Sequence, residues 1–251
     1  MKWLICIYSS HDDLPHAKKL RKIINKSEIR NDQQNIIVLT DINQKQDFRY
    51  DKTDNILYLN VKECYTYLSL KTELMFRACS ELFDFEFLVK WDVSTLDPER
   101  CYTLRETPEI CMSVLTGKHI PKPWNDLPFL IGGPVQPHCD YHSHICAVCN
   151  GELSAEWFRN IKSHYLPIIK SEARDLESES FIPENVTYYR GKFYIISKKF
   201  CKYINETSEC KEIFQKNFQH NFGCEDISVG MCFTKFTEFT EFTNLQELKK
   251  S

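Results

Sequence analysis

Residues 62–82 and the stretch that follows them constrain this chain more than any other feature. Between 62 and 82, Cys64, Tyr67, Leu68, Lys71 by its stem, Leu74 or Met75, Ala78 and Leu82 recur at intervals of three and four. That is the spacing of one helix face. Phe85-Glu86-Phe87-Leu88-Val89-Lys90-Trp91 then reads as a strand, and Asp92 falls where it ends. A helix feeding a strand belongs to an α/β layer structure, where ligands collect at the carboxyl ends of strands. Asp92 is therefore a functional candidate; the alternative is a solvated loop aspartate.

The remainder of the chain is consistent with that architecture. Residues 3–8 read as a buried strand, and Leu14, Ala17, Leu20 and Ile24 mark a helix over 14–25. β-Branched enrichment marks further strands at 35–40 and 55–60, and residues 188–197 read as a turn and strand. Short helices are expected at 199–205 and 211–218, with a packed segment at 226–233. Residues 107–150, rich in Pro, His and Cys, are expected to form long loops. From 233 to 251 the phenylalanines Phe233, Phe236, Phe239 and Phe242 recur every three residues, and this stretch is expected to be a biased tail outside the domain at 1–232.

Composition narrows the function classes. At 42% hydrophobic and 13% aromatic over 251 residues the chain can build a sizeable core, so general disorder is excluded. Seven glycines leave little material for glycine-rich phosphate loops, and neither G-x-x-x-x-G-K-[ST] nor G-x-G-x-x-G occurs. A net charge of −3 with both signs interspersed gives no extended positive field, which argues against nucleic acid as a partner. The apolar run near Met1 is too short for a secretory segment or a membrane span, so the chain is expected to be soluble and cytoplasmic, its 12 cysteines reduced.

Three segments in order resemble motifs of the beta-1,3-galactosyltransferase/Fringe family. Glu63-Cys64-Tyr65-Thr66-Tyr67-Leu68-Ser69-Leu70-Lys71-Thr72 is similar to D-S-Y-x-N-L-T-x-K-T, and it leads to Phe87-Leu88-Val89-Lys90-Trp91-Asp92-Val93-Ser94, similar to F-x-x-K-x-D-D-D. Tyr188-Tyr189-Arg190-Gly191-Lys192-Phe193-Tyr194-Ile195-Ile196-Ser197 matches Y-x-x-G-x-x-Y-x-x-S, and Glu225-Asp226-Ile227-Ser228-Val229-Gly230 is close to E-D-V-x-x-G. The resemblance spans about residues 60–232. It implies a GT-A type, Rossmann-like mixed sheet flanked by helices in a single domain, and an inverting transfer of a sugar from a nucleotide-sugar donor, UDP-linked, to a glycan hydroxyl.

The same resemblance implies roles. Asp226 would be the general base, with Glu225 structural or touching the acceptor. Asp92 would meet the nucleotide ribose or a cation, Ser94 stands in the same cation motif, and Gly191 lies in a stretch that in the family lines the acceptor side of the cleft; both are counted among the donor-binding candidates. Lys90 and Lys71 would offset diphosphate charge. From the residues alone, Glu225-Asp226 reads first as a charged helix start, and Lys71 reads equally as a snorkelling helix lysine. The family's triple aspartate holds manganese or magnesium, whereas Val93 and Ser94 replace two of those carboxylates and no histidine follows Asp226. A hard cation would find only Asp92 there. Catalysis without a metal, or an inactive domain that binds nucleotide sugar or glycan, are the corresponding expectations. Family members are commonly anchored in the secretory pathway, which would be the compartment if this chain belongs to a larger protein.

Two further clusters carry weaker signals. His138, Cys139, Asp140, His142, His144, Cys146 and Cys149 include a C-x-x-C, but the loop between Cys139 and Cys146 is too tight for paired zinc knuckles, so zinc is not expected. A zinc-stabilised interaction protein is the function class this cluster would support. Lys18, Lys19, Arg21 and Lys22 read as a solvated helix face, with contact to anionic lipid the alternative.

Overall fold

The computed structural model describes residues 2–27, 32–64, 67–96, 188–189, 191–220 and 225–237, with Met112, Leu115, Leu130–Gly132 and Val135–Gln136. Its strands are β1 (Trp3–Tyr8), β2 (Gln33–Thr40), β3 (Phe48–Asp51), β4 (Ile56–Leu59), β5 (Phe87–Asp92), β6 (Leu130–Gly132), β7 (Val135–Gln136), β8 (Tyr188–Tyr189) and β9 (Phe193–Ser197). The helices are α1 (Leu14–Lys26), α2 (Leu68–Leu82), α3 (Lys198–Glu206), α4 (Ser208–His220) and α5 (Glu225–Thr237).

Among the described residues, seven strands form one mixed sheet in the order β3-β4-β2-β1-β5-β9-β6, and β7 pairs with β8 in a separate two-stranded sheet. β4, β2, β1 and β5 run parallel, while β3 and β9 lie antiparallel to β4 and β5. Every residue of β1 is buried, as a parallel strand covered on both faces requires. Its alternate side chains enter two cores. Trp3, Ile5 and Ile7 pack with Ala17, Leu20 and Ile24 of α1, whereas Leu4, Cys6 and Tyr8 pack with α2, α3, α4 and α5. The fold is thus α/β with helices on both faces, as expected from the strand and helix spacing.

Local chemistry sets several element ends. Pro15 opens the first turn of α1, and Ser197 caps α3 by accepting the Phe200 N–H at 3.1 Å. Ser69 donates to the Phe214 carbonyl at 2.9 Å and meets the Ser228 hydroxyl at 3.0 Å, tying the start of α2 to α4 and α5.

Some expectations need correction. The helix expected over 62–82 begins at Leu68, because a turn in which Tyr67 N–H reaches the Cys64 carbonyl at 3.0 Å precedes it. β3 has no counterpart among the expected strands, and β6 and β7 are short strands within the region read as loops. The expected boundary at 233 falls inside α5, which continues to Thr237. Phe233 and Phe236 are buried against Phe200, so the first part of the biased segment is core. Residues 238–251 lie outside the described residues.

Cys6, Cys64, Cys79, Cys201, Cys210 and Cys232 carry free thiols. All but Cys64 are buried, and burial raises the pKa of Cys79 and Cys232 well above the usual thiol range and that of Cys201 to about 12. They serve as small apolar side chains. No helix among the described residues is long and apolar enough to cross a membrane.

Candidate functional site

A lysine in the middle of a buried strand needs a partner, because an unpaired ammonium removed from water is expensive. Lys90 of β5 stands in register with Cys6 of β1 and Tyr194 of β9, and so faces the core beneath α2 and α5. Its side chain is 1% exposed. The ammonium donates to Glu225 Oε1 at 2.6 Å and to the Gly191 carbonyl, and lies 4.4 Å from the centre of the Tyr8 ring and 5.6 Å from that of Tyr194. Glu225 is itself buried in the first turn of α5, where a carboxylate also complements the helix dipole.

Lys71 repeats the arrangement, also against Tyr8. From the start of α2 its ammonium donates to the Ser9 carbonyl at 2.7 Å and to Glu63 Oε1 and Oε2 at 3.1 and 3.3 Å, and lies 4.5 Å from the Tyr8 ring centre. The Lys71 side chain is 3% exposed, so it does not snorkel. Burial lowers its pKa, with the negative charges of Glu63 and Asp92 acting in the opposite direction and Lys90 reinforcing the shift. Thr40 holds Glu63 in place through Oγ1 to Oε2 at 2.9 Å. Two ammoniums thus contact one aromatic ring, whose negative face favours both. The Tyr8 hydroxyl reaches Thr72 Oγ1 at 3.1 Å and donates to the Leu68 carbonyl at 3.3 Å. Burial, and then Glu225, raises the Tyr8 pKa well above the phenol range, so this ring stays neutral.

Asp226 follows Glu225 but faces a different environment. It is half-buried; Oδ1 accepts its neighbour Ile227 N–H at 2.9 Å and Oδ2 accepts Gly191 N–H at 3.3 Å. Desolvation and then the Glu225 charge raise its pKa to about 7, against the opposing pull of Lys90 and the two backbone donors. A carboxyl of this kind exchanges its proton near neutral pH.

Asp92 ends β5 in register with Tyr8 of β1. Its carboxylate turns inward on its own loop: Oδ1 accepts Ser94 N–H at 2.8 Å, and Thr95 Oγ1 donates to its carbonyl at 2.9 Å while accepting Trp91 Nε1–H at 2.9 Å. The Asp92 N–H donates to the Lys192 carbonyl at 2.8 Å, which ties this strand end to the Gly191 turn. Ser94 is half-buried in the 3-10 turn Val93–Leu96, and Val93 is buried and apolar.

The structure therefore gathers Lys71, Lys90, Asp92, Ser94, Gly191, Glu225 and Asp226 around the carboxyl ends of β1 and β5 and the amino ends of α2 and α5. The lysines differ from expectation in one respect: both ammoniums are buried and paired with glutamates of the chain. Glu63, Tyr8, Thr72 and Tyr194 belong to the cluster although the sequence assigns them no role. The signal that points to Glu63 and Glu225 is the presence of lysines at apolar positions, which obliges a carboxylate nearby. The Tyr194 hydroxyl is buried without a hydrogen-bond partner among the described residues, and burial raises its pKa well above the phenol range. Among the described residues no group of three or more His, Cys, Asp or Glu side chains is placed to hold a metal ion. The His and Cys cluster at 138–149 lies outside the described residues. No protein-family model matches the chain, and no curated protein matches it.

Proposed function

We propose that this chain is an inverting glycosyltransferase of GT-A type, a hexosyltransferase that moves a sugar from a UDP-linked donor to a hydroxyl of a glycan. One observation carries the reading: Asp226, half-buried at the strand ends that receive ligands in α/β sheets, has its pKa raised to about 7 beside a buried Lys90–Glu225 pair. In the proposed step the acceptor hydroxyl gives its proton to Asp226 as its oxygen bonds to the anomeric carbon. The bond from that carbon to the phosphate oxygen breaks on the opposite face, and the nucleoside diphosphate leaves with the electron pair. Removing such a base costs roughly 100-fold to 10,000-fold in rate.

The residues at the site do not fit a tightly held divalent cation. Asp92 is the one carboxylate of the expected cation motif, its Oδ1 is engaged by Ser94 N–H, and Val93 beside it offers no donor. No step is assigned to manganese or magnesium. The pairing of Lys71 with Glu63 and of Lys90 with Glu225 also favours a second reading, because neither ammonium is left to meet a diphosphate. In that reading the domain binds a nucleotide sugar or glycan without turnover. Incubation with a panel of nucleotide sugars, with and without manganese, separates the two. Release of nucleoside diphosphate supports the transferase. Thermal stabilisation by a donor without release supports the binding domain, and neither response with any donor refutes both.

A further inference from the structure

We propose that Lys90, Glu225 and the Gly191 peptide form one positioning unit that fixes the Asp226 carboxylate, with glycine at 191 required for space. The inference rests on the reading of Asp226 as the proton acceptor. The polar contacts close a ring. Lys90 donates to Glu225 and to the Gly191 carbonyl, Asp226 follows Glu225 in the first turn of α5, and the Gly191 N–H returns to Asp226 Oδ2. Both polar groups of one glycine residue are thus used, its carbonyl toward the lysine and its N–H toward the carboxylate.

The requirement for glycine comes from packing. A Cβ at 191 would overlap Glu225 Oε1 and stand 3.0 Å from Glu225 Cδ and 3.4 Å from Lys90 Nζ. Glu225 cannot retreat easily, because its buried carboxylate is held by Lys90 and a lost contact would strand both charges. An alanine at 191 must therefore displace either the glutamate or the turn that carries the N–H to Asp226.

The unit also determines which charges Asp226 meets. Glu225 lies on its own helix, Lys90 comes from β5, Tyr194 from β9, and the N–H groups of Gly191 and Ile227 complete its surroundings, while Tyr8 of β1 lies against Lys90 and within the field of Glu225. Replacing Glu225 by Gln keeps the shape and an acceptor for Lys90 but removes the neighbouring negative charge. The pKa of Asp226 should then fall, since a like charge next to a carboxylate disfavours ionisation.

The test is carbon-13 NMR titration of the Asp226 carboxyl, together with pH–rate profiles, in wild type, Glu225→Gln and Gly191→Ala. Glu225→Gln is expected to lower the Asp226 midpoint by about one pH unit and to move the acidic limb of kcat with it. Gly191→Ala is expected to reduce kcat at least tenfold with little change in donor KM, and adding Glu225→Asp, one methylene shorter, should restore part of the loss. An Asp226 midpoint unchanged in Glu225→Gln overturns the positioning unit, and this variant decides the matter if Gly191→Ala fails to fold. A shifted midpoint in a protein whose Asp226→Asn variant retains full turnover supports the unit and removes Asp226 from the chemistry, so the two failures are distinguishable.

Discussion

Substituting Asn for Asp226 should change how stability depends on pH, and the size of the change follows from the surroundings of the carboxyl. In the native protein its pKa is about 7, against 3.8 for the ordinary side chain. Between those values the folded chain holds a proton that the unfolded chain has released, so wild-type stability falls as pH rises through this window and levels off above it. A difference of one bound proton between the two states changes stability by about 1.4 kcal/mol for each step of one in pH. From pH 5 to pH 7, where the native carboxyl is already half ionised at the upper end, wild type should therefore lose about 2 kcal/mol through this group alone. Asn keeps the shape and does not titrate, so the variant lacks this slope. Urea unfolding of both proteins at pH 5, 6, 7 and 8 measures it. The stability of Asp226→Asn relative to wild type should climb by about 2–3 kcal/mol across the series and flatten near pH 8. Parallel curves would refute the claim that burial and Glu225 hold this carboxyl protonated.

The other expectations concern the buried pair, α5 and the cation. Lys90→Met leaves Glu225 buried without its partner and should cost about 3–5 kcal/mol, whereas Lys90→Met with Glu225→Leu should recover most of that in thermal or urea unfolding. Phe236→Ala should cost about 3–5 kcal/mol, because the ring is buried with Phe200 and Tyr203 at centroid distances of 5.2 and 5.1 Å; a neutral result would return residues 233–237 to a tail. Turnover should persist substantially in EDTA, since Asp92 alone is a poor hold for a hard cation, and its abolition by chelation with recovery on adding manganese would reveal a cation site outside these residues.

Long apolar runs and sustained periodicity carry most of the fold. β1 and β5 are legible as apolar runs of strand length, and α1 and α2 as helical periods sustained over three turns or more. The start of α2 is not, because Cys64 and Tyr67 continue the helical spacing into what is a turn. β3 is hidden since its four residues, Phe48-Arg49-Tyr50-Asp51, alternate too briefly to stand out and are strand only through pairing with β4. The end of the fold lies later than the spacing suggests. A repeat of three has no regular period, but Phe233 and Phe236, one turn of helix apart, share a face that α3 covers.

At the site, the charged residues themselves are visible in the sequence, while their partnerships are not. Lys90 and Lys71 stand out in apolar surroundings, and the carboxylates at 92, 225 and 226 fall at element ends. Which charges neutralise one another depends on contacts across 135 residues, for Lys90 and Glu225, and on a turn that brings Glu63 back over Lys71. Periodicity carries no information about such pairing. Gly191 shows the same limit, for its role depends on a glutamate from a helix that begins 34 residues later (225 less 191).

Sugar transfer by Asp226 is tested most directly by single-turnover release of nucleoside diphosphate from the donor that wild type accepts, compared in wild type and Asp226→Asn at pH 7.5. The account predicts release by wild type and a loss of at least about 100-fold in the variant, with donor affinity and folding retained. Equal release by both proteins, or no release from any donor by wild type, would contradict it.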